Sequence, residues 1–380
     1  MAEKIPLTIN ATGADSPARQ CVISTGRGDI QTPFFMPVGT YGAVKSQAPE
    51  ELKEQGAQMV LSNAYHLYLR PGLDLLERTG GLHPFMGWDG PILTDSGGYQ
   101  VFSLAALRDV DDDGVTFKSH LDGSTHRFTP EKVIDIQRVI GSDFMMPLDE
   151  CPLGDAPKSS WATAVTRTTA WMSRALTRFD ETEPAYGQPQ YLLCIIQGGT
   201  DAGLRRQSAE SLLQLEPSGV AIGGLAVGES KEELLATLEE LVPQLPADTP
   251  RYLMGVGTPA DLVRAVGLGV DMFDCVLPTR NARNGQLFTS AGKMNLRNAK
   301  FRHDLKPVQD GCGCPLCRGY SRAYLRHLFV TGEVLGLRLA TAHNLWFYHH
   351  MMADMRSAIS EGVYSQWARD FLVRYEEGSE

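Results

Sequence analysis

Three aspartates stand where short apolar runs end. They are Asp95 in Thr94-Asp95-Ser96-Gly97-Gly98-Tyr99-Gln100, Asp149 in Leu148-Asp149-Glu150-Cys151, and Asp274 in Met272-Phe273-Asp274-Cys275. A carboxylate among apolar neighbours is costly unless a partner, a raised pKa or a function offsets it. Any one of them could be an N-cap or half of a buried ion pair. Three at strand ends point instead to a functional cluster. Two close carboxylates suit displacement at a sugar carbon. One attacks the anomeric carbon through an oxocarbenium-like transition state, and the other moves a proton to or from the leaving group. Gln197 precedes Gly198-Gly199, and Gly223-Gly224-Leu225 closes another apolar run. Glycine pairs let a flat ligand approach the backbone. A tyrosine would stack on such a ring, while Asp and Gln would read its edge.

A second constellation has metal spacing. Cys312, Cys314 and Cys317 read Cys-x-Cys-x2-Cys, and His343 follows after 25 intervening residues. Three thiolates and one imidazole form a closed tetrahedral Zn2+ set, structural because no position is left for water. On spacing alone His303, His327, His349 and His350 compete for the fourth place. His343 is preferred as the start of a predicted helix, from which its ring can reach back to the loop. Free core thiols are the alternative. Seven cysteines, three of them within six positions, do not make a disulfide framework, so a reducing cytoplasm is expected. The first residues lack a secretory hydrophobic region, and no run approaches the roughly 18 apolar residues of a membrane span.

Elements must hold these residues. After a hairpin-like stretch near Cys21–Thr25, eight β-rich runs follow: 34–38, 59–63, 91–95, 143–149, 191–197, 220–225, 252–256 and 272–277. Several are apolar throughout, as strands buried on both faces should be. Amphipathic helices fill the gaps: 49–55, a helix capped by Thr129 with Pro130 at its first position, 159–178, 202–214, 231–241 and 259–266. Eight such alternations predict an α/β fold, a (β/α)8 TIM barrel. A doubly wound open sheet is the alternative, and no GxGxxG fingerprint follows any run to support it. A hairpin is expected at 115–128 around Asp122-Gly123. The expected organisation is a barrel over 1–279, a basic zinc-binding insertion over 280–343, and a final barrel helix and tail over 344–380. That last helix is predicted as one piece, 344–375.

The formal charge is −10 over 380 residues, with 35 Lys and Arg against 45 Asp and Glu. Taken whole, that opposes a polyanionic partner. Yet ten basic residues lie between Arg280 and Arg326, against only Asp304 and Asp310. One basic stretch on an acidic body predicts an anionic partner docking at one place.

The chain resembles the bacterial tRNA-guanine transglycosylases, the base-exchange enzymes of the queuine pathway. The resemblance runs from PFFMPVGT at 33–40 to AHNLWF at 342–347. Between them it takes in NAYHLYLRPG, TDSGGYQVFSL, DECP, IIQGG, IGGLAVGE, YLMGVGTP, DCVLPTRNAR, NLRNAKF and the cysteine–histidine set. It implies that Asp274 is the nucleophile on the ribose C1′ and Asp95 the general acid/base. It implies a base pocket of Ser96, Gly97, Gly98, Tyr99, Asp149, Cys151, Gln197, Gly224, Leu225, Val227 and Met254. It places RNA contacts at Gly255, Val256, Gly257, Thr258, Pro259, Ala260 and Asp261, and at Thr279, Arg280, Asn281, Ala282 and Arg283. It implies Zn2+ on Cys312, Cys314, Cys317 and His343. The implied partners are a tRNA anticodon loop, guanine, 7-aminomethyl-7-deazaguanine and a second copy of the chain. Cys151 and Val227 resemble the bacterial pattern, and Val227 adds bulk where the eukaryotic pattern has glycine. No nucleotide cofactor is required, because one glycosidic bond is exchanged for another. Two other classes use parts of the pattern. A retaining glycoside hydrolase would use the carboxylates but leaves the basic window idle. A non-catalytic zinc-containing RNA-binding protein leaves the aspartates unexplained.

Overall fold

The computed structural model describes residues 3–98 and 108–378. Eight strands form one parallel sheet: β1 (Phe34–Met36), β2 (Val60–Asn63), β3 (Ile92–Asp95), β4 (Phe144–Met145), β5 (Tyr191–Ile196), β6 (Gly219–Ile222), β7 (Arg251–Leu253) and β8 (Met272–Asp274). From β2 to β8 each strand pairs with its sequence neighbour, and β8 pairs with β1 through Phe273 opposite Phe35. Closure falls between β1 and β2. A parallel bridge links Val38 to Leu61, and the Leu61 N–H donates to the Pro37 carbonyl at 3.0 Å. The expected (β/α)8 barrel is therefore the observed fold.

Apolar strands make it so. Every residue of β5 is buried. Inward side chains from all eight strands, including Met36, Leu61, Leu93, Phe144, Ile195, Ala221, Tyr252 and Met272, fill the interior. A three-stranded antiparallel sheet (Leu7–Thr12, Arg19–Thr25, Gly28–Thr32) adds Ile23 and Ile30 to this core and covers one end of the barrel. There Arg19 grips Asp271 with two hydrogen bonds, at 2.9 and 2.6 Å. The helices start as their caps dictate. Thr129 accepts from the Lys132 N–H, and Ser230 forms a reciprocal box with Glu233.

Several expectations change. The runs predicted at 143–149, 252–256 and 272–277 pair for only two or three residues each. Pro147 has no N–H for the ladder, so the chain leaves β4 and carries Asp149 into a loop. The hairpin at 115–128 is part of a three-stranded sheet, whose first strand, Arg108–Asp111, carries no strong sequence pattern. The last helix is two. Val334–Ser360 starts ten residues earlier than expected, and Tyr364–Glu377 follows. Gly362 separates them in the left-handed conformation (φ 72°).

A small unit with its own core follows β8. It comprises the hairpin of Gln286–Thr289 with Gly292–Asn295, the helices Pro315–Gly319 and Arg322–Thr331, and a cluster around Leu287, Leu296, Phe301, Leu316, Leu325 and Phe329. Among the described residues, no helix is long and apolar enough to cross a membrane.

Candidate active site

The carboxyl ends of the strands bring the expected residues together. Asp95 ends β3 and Asp274 ends β8, each half-buried, while Asp149 is buried in the loop after β4. Asp95 Oδ2 accepts from the Asn63 amide at 2.5 Å, and Oδ1 accepts the N–H groups of Ala64 and Gly97 at 3.2 Å each. Burial nevertheless pushes its pKa up to about 7, with the charge of Asp274 adding to the rise. The carboxyl can thus both hold and release a proton near neutrality. Asp274 Oδ1 accepts from the Tyr252 hydroxyl at 2.7 Å and the Gly255 N–H at 2.8 Å. Among the described residues, no hydrogen bond reaches its Oδ2. Burial raises its pKa too, opposed by those two donors.

The residues expected to recognise the base lie nearby, Asp149 being hydrogen-bonded to Ser96, next to Asp95. Asp149 Oδ2 accepts from the Gln197 amide at 2.8 Å, and Oδ1 from the Ser96 hydroxyl at 3.4 Å. Burial lifts Asp149 to about 6. The Gly98 N–H donates to the Ser96 hydroxyl. Gly97 is pressed on Tyr65, where an added Cβ would lie 2.5 Å from the Tyr65 Cβ. Burial pushes the Cys151 thiol up to about 12, so it stays neutral and is no nucleophile. Leu225 is buried, Met254 lies beside Gly223, and Val227 is half-buried at the rim. Val227 is clamped, since Glu229 takes its N–H and its carbonyl accepts from Gly154. Tyr99 lies outside the described residues.

The expected RNA contacts divide by exposure. Gly255 and Arg280 face solvent, while Thr258, Asp261, Asn281 and Arg283 are half-buried. Val256, Gly257, Pro259, Ala260, Thr279 and Ala282 are buried. The side chains of that last group shape the loops rather than face outward. Asp261 is occupied by the Thr258 hydroxyl and Lys231.

The four candidate metal donors converge. The sulfurs of Cys312, Cys314 and Cys317 and a His343 nitrogen all lie within 4.8 Å of one another. Nδ1 of His343 is 3.3 Å from the Cys314 sulfur and 3.5 Å from that of Cys317. Tetrahedral Zn2+ with bonds of about 2.0–2.3 Å needs donors about 3.5 Å apart, so the set fits. Nε2 donates to the Phe288 carbonyl at 2.8 Å, which fixes the tautomer and leaves Nδ1 as the ligand atom. His343 does not begin a helix as expected but lies in the middle of Val334–Ser360. The rivals His303, His327, His349 and His350 are not in the cluster.

Four supporting residues were not among those expected from the sequence. Asn63 and Tyr252 hold the two strand-end carboxylates. Asn344, next to His343, accepts from the Phe288 N–H and donates to the carbonyls of Pro278 and Gln286. Tyr348, one turn further, donates to the Gly257 carbonyl at 2.6 Å. Gly257 in turn packs so closely on Cys275 that any Cβ would overlap it. The long helix thus fixes the loop whose Gly255 N–H meets Asp274. Only Asn63, an N-cap type opening the helix Ala64–Leu69, left a local signal.

A parallel barrel with three carboxylates gathered at its strand ends is the architecture of an enzyme. The profile of the family described as "Queuine tRNA-ribosyltransferase" matches residues 15–377. A protein of that name from Novosphingobium aromaticivorans is 53% identical, with 97% of each chain aligned. One from Solidesulfovibrio magneticus is 50% identical over 98% of this chain and 99% of its own. One from Zymomonas mobilis is 50% identical over 94% and 92%. The chain belongs to the queuine tRNA-ribosyltransferase family, and it is a pentosyltransferase. The hydrolase and non-catalytic readings fall with that membership.

Proposed function

We propose that this enzyme replaces guanine at the wobble position of tRNAs for Asp, Asn, His and Tyr with 7-aminomethyl-7-deazaguanine, reading U-G-U in the anticodon loop. The observation that carries the chemistry is the division of labour between two carboxylates. Among the described residues, both hydrogen bonds to Asp274 fall on Oδ1, which leaves Oδ2 to attack. Asp95 is held near neutrality.

In the proposed sequence, Asp274 Oδ2 bonds to C1′ of the ribose as the C1′–N9 bond breaks. The electron pair leaves on N9, and guanine takes a proton from Asp95. The incoming base returns a proton to Asp95, and its N9 displaces the Asp274 carboxylate. Asp149, Gln197 and the Gly224 backbone read the edge of the base. Tyr99 and Met254 cover its faces, with Ser96, Gly97, Gly98, Cys151, Leu225 and Val227 completing the pocket. The base must first leave the stack, which a single-stranded loop permits cheaply. Arg280, Arg283 and the loop Gly255–Asp261 hold the RNA backbone. Zn2+ on Cys312, Cys314, Cys317 and His343 would crosslink the small unit and supply no step. The working form is a homodimer in the cytoplasm. Exposed Tyr324 and His327, stacked in line with half-buried Tyr320, beside exposed Val330 and Val334 support self-association.

Incubation with radiolabelled guanine and unmodified tRNA-Tyr tests the reading. Label should enter the RNA, and Asp274→Ala should stop it. Failure of the wild type, where a known family member succeeds, refutes the proposal. Val227→Gly should broaden acceptance towards queuine, whose larger substituent the valine obstructs; no gain in queuine exchange counts against that role.

A further inference from the structure

Arg205 is a buried cation. It lies on the inner face of the helix Ala202–Leu213, beside Leu204, Ser208, Ala209 and Leu212, and is 1% exposed. Among the described residues it forms no ion pair. Its side-chain hydrogen bonds to the described residues all go to backbone carbonyls. Nε donates to Gly199 at 2.7 Å, Nη1 to Ile196 at 2.8 Å and Gly223 at 2.6 Å, and Nη2 to Gly224 at 3.1 Å. Burial lowers its pKa to about 10, so it remains charged at neutral pH. Burying such a charge is expensive, and carbonyl dipoles offset it only in part. A plain structural position would be filled more cheaply by an apolar side chain.

The grip has a geometric consequence. In a trans peptide the C=O and N–H point in opposite directions. Drawing the Gly223 and Gly224 carbonyls onto one guanidinium turns the N–H groups of Gly224 and Leu225 the other way. Gly224 accepts this at φ 64°, a conformation that glycine tolerates. Among the described residues, no backbone carbonyl takes either N–H, and that of Gly224 lies against the Cys151 thiol. Gln197 converges on the same place, because its Oε1 occupies the space a Gly224 Cβ would need. Among the described residues, that buried Oε1 has no partner. Two aligned N–H groups suit a carbonyl acceptor on the bound base.

We propose that Arg205 is the positioning residue for the 6-oxo group of the base. It holds the Gly224 and Leu225 N–H groups as a paired donor, and it polarises both peptides as negative charge develops on the leaving ring. This role rests on the base-exchange reading above.

The test compares guanine with 6-thioguanine, the same ring with a weaker acceptor at position 6. Arg205→Lys keeps the charge, but its point-like ammonium cannot span four carbonyls. Arg205→Gln removes the charge at similar length. Affinity for guanine should fall about tenfold or more in both variants, while that for 6-thioguanine changes by no more than about twofold. The preference for the oxo base would thereby collapse. Zinc content and melting curves report whether each variant is folded. Equal losses for both bases in either folded variant, or an unchanged preference, overturn the proposal. Wild-type enzyme must first exchange labelled guanine; if it does not, the base-exchange reading fails rather than the role of Arg205.

Discussion

Burial lifts Asp95 to about 7 and Asp149 to about 6, against an ordinary 3.8. In the unfolded chain both lose their protons near 3.8. Between there and about 7 the folded protein holds more protons than the unfolded one. Stability from these groups is therefore complete below about 4 and lost as pH rises through about 6 and 7. Asp149→Asn should flatten the fall in melting temperature between about pH 4 and 7. An unchanged slope contradicts the buried assignment. Asp95→Asn should slow exchange by about 100-fold or more while tRNA still binds, because it removes the proton carrier and not a phosphate contact. A variant that exchanges at the wild-type rate would refute the carrier role. The acids were legible in the sequence because each ends an apolar run. Their partners were not, since Tyr252 reaches Asp274 only across neighbouring strands, just as Arg205 reaches Gly223 and Gly224 only through the fold. Arg205 does leave a trace: it falls on the apolar face of an amphipathic helix, where a charge is out of place.

The helix Val334–Ser360 joins the cysteine–histidine cluster to the barrel. His343 faces the cysteines, Asn344 ties down Pro278, and Tyr348 ties down Gly257. Tyr348→Phe keeps the ring packed on Phe35 and Phe288 but strands a buried carbonyl. It should cost about 1–3 kcal/mol by chemical denaturation. It should also shift the acidic limb of the pH–rate profile upward, since a looser Gly255 N–H no longer holds down Asp274. A profile identical to wild type would separate the two. Cys314→Ser should lose its metal by elemental analysis while the barrel keeps its circular dichroism, because the small unit has a core of its own. Unchanged zinc content would overturn that ligand assignment. Here the sequence misled on register. The apolar pattern after His343 hid a helix that starts earlier, and only tertiary contacts place His343 in its middle. Strand existence was readable from apolar runs, whereas strand length was set by where the loops turn into the mouth.

At the scale of the molecule, charge is segregated. The net charge is −10, yet Arg280, Lys293, Arg297, Lys300, Arg302, Lys306 and Arg318 all stand exposed after β8. An acidic protein can thus bind RNA at one place. Its affinity for tRNA should fall about tenfold or more from about 50 to 200 mM salt, as phosphate contacts release counterions. Affinity indifferent to salt would argue against the basic unit as the docking surface. The central claim is covalent: the ribose passes through Asp274. The most direct test is to mix the enzyme with an unmodified anticodon stem–loop, denature the mixture, digest protein and RNA, and locate the ribosyl adduct by mass spectrometry. The account predicts the adduct on the peptide carrying Asp274, and none with Asp274→Ala. An adduct on Asp95 or Asp149, or one that survives Asp274→Ala, would contradict it.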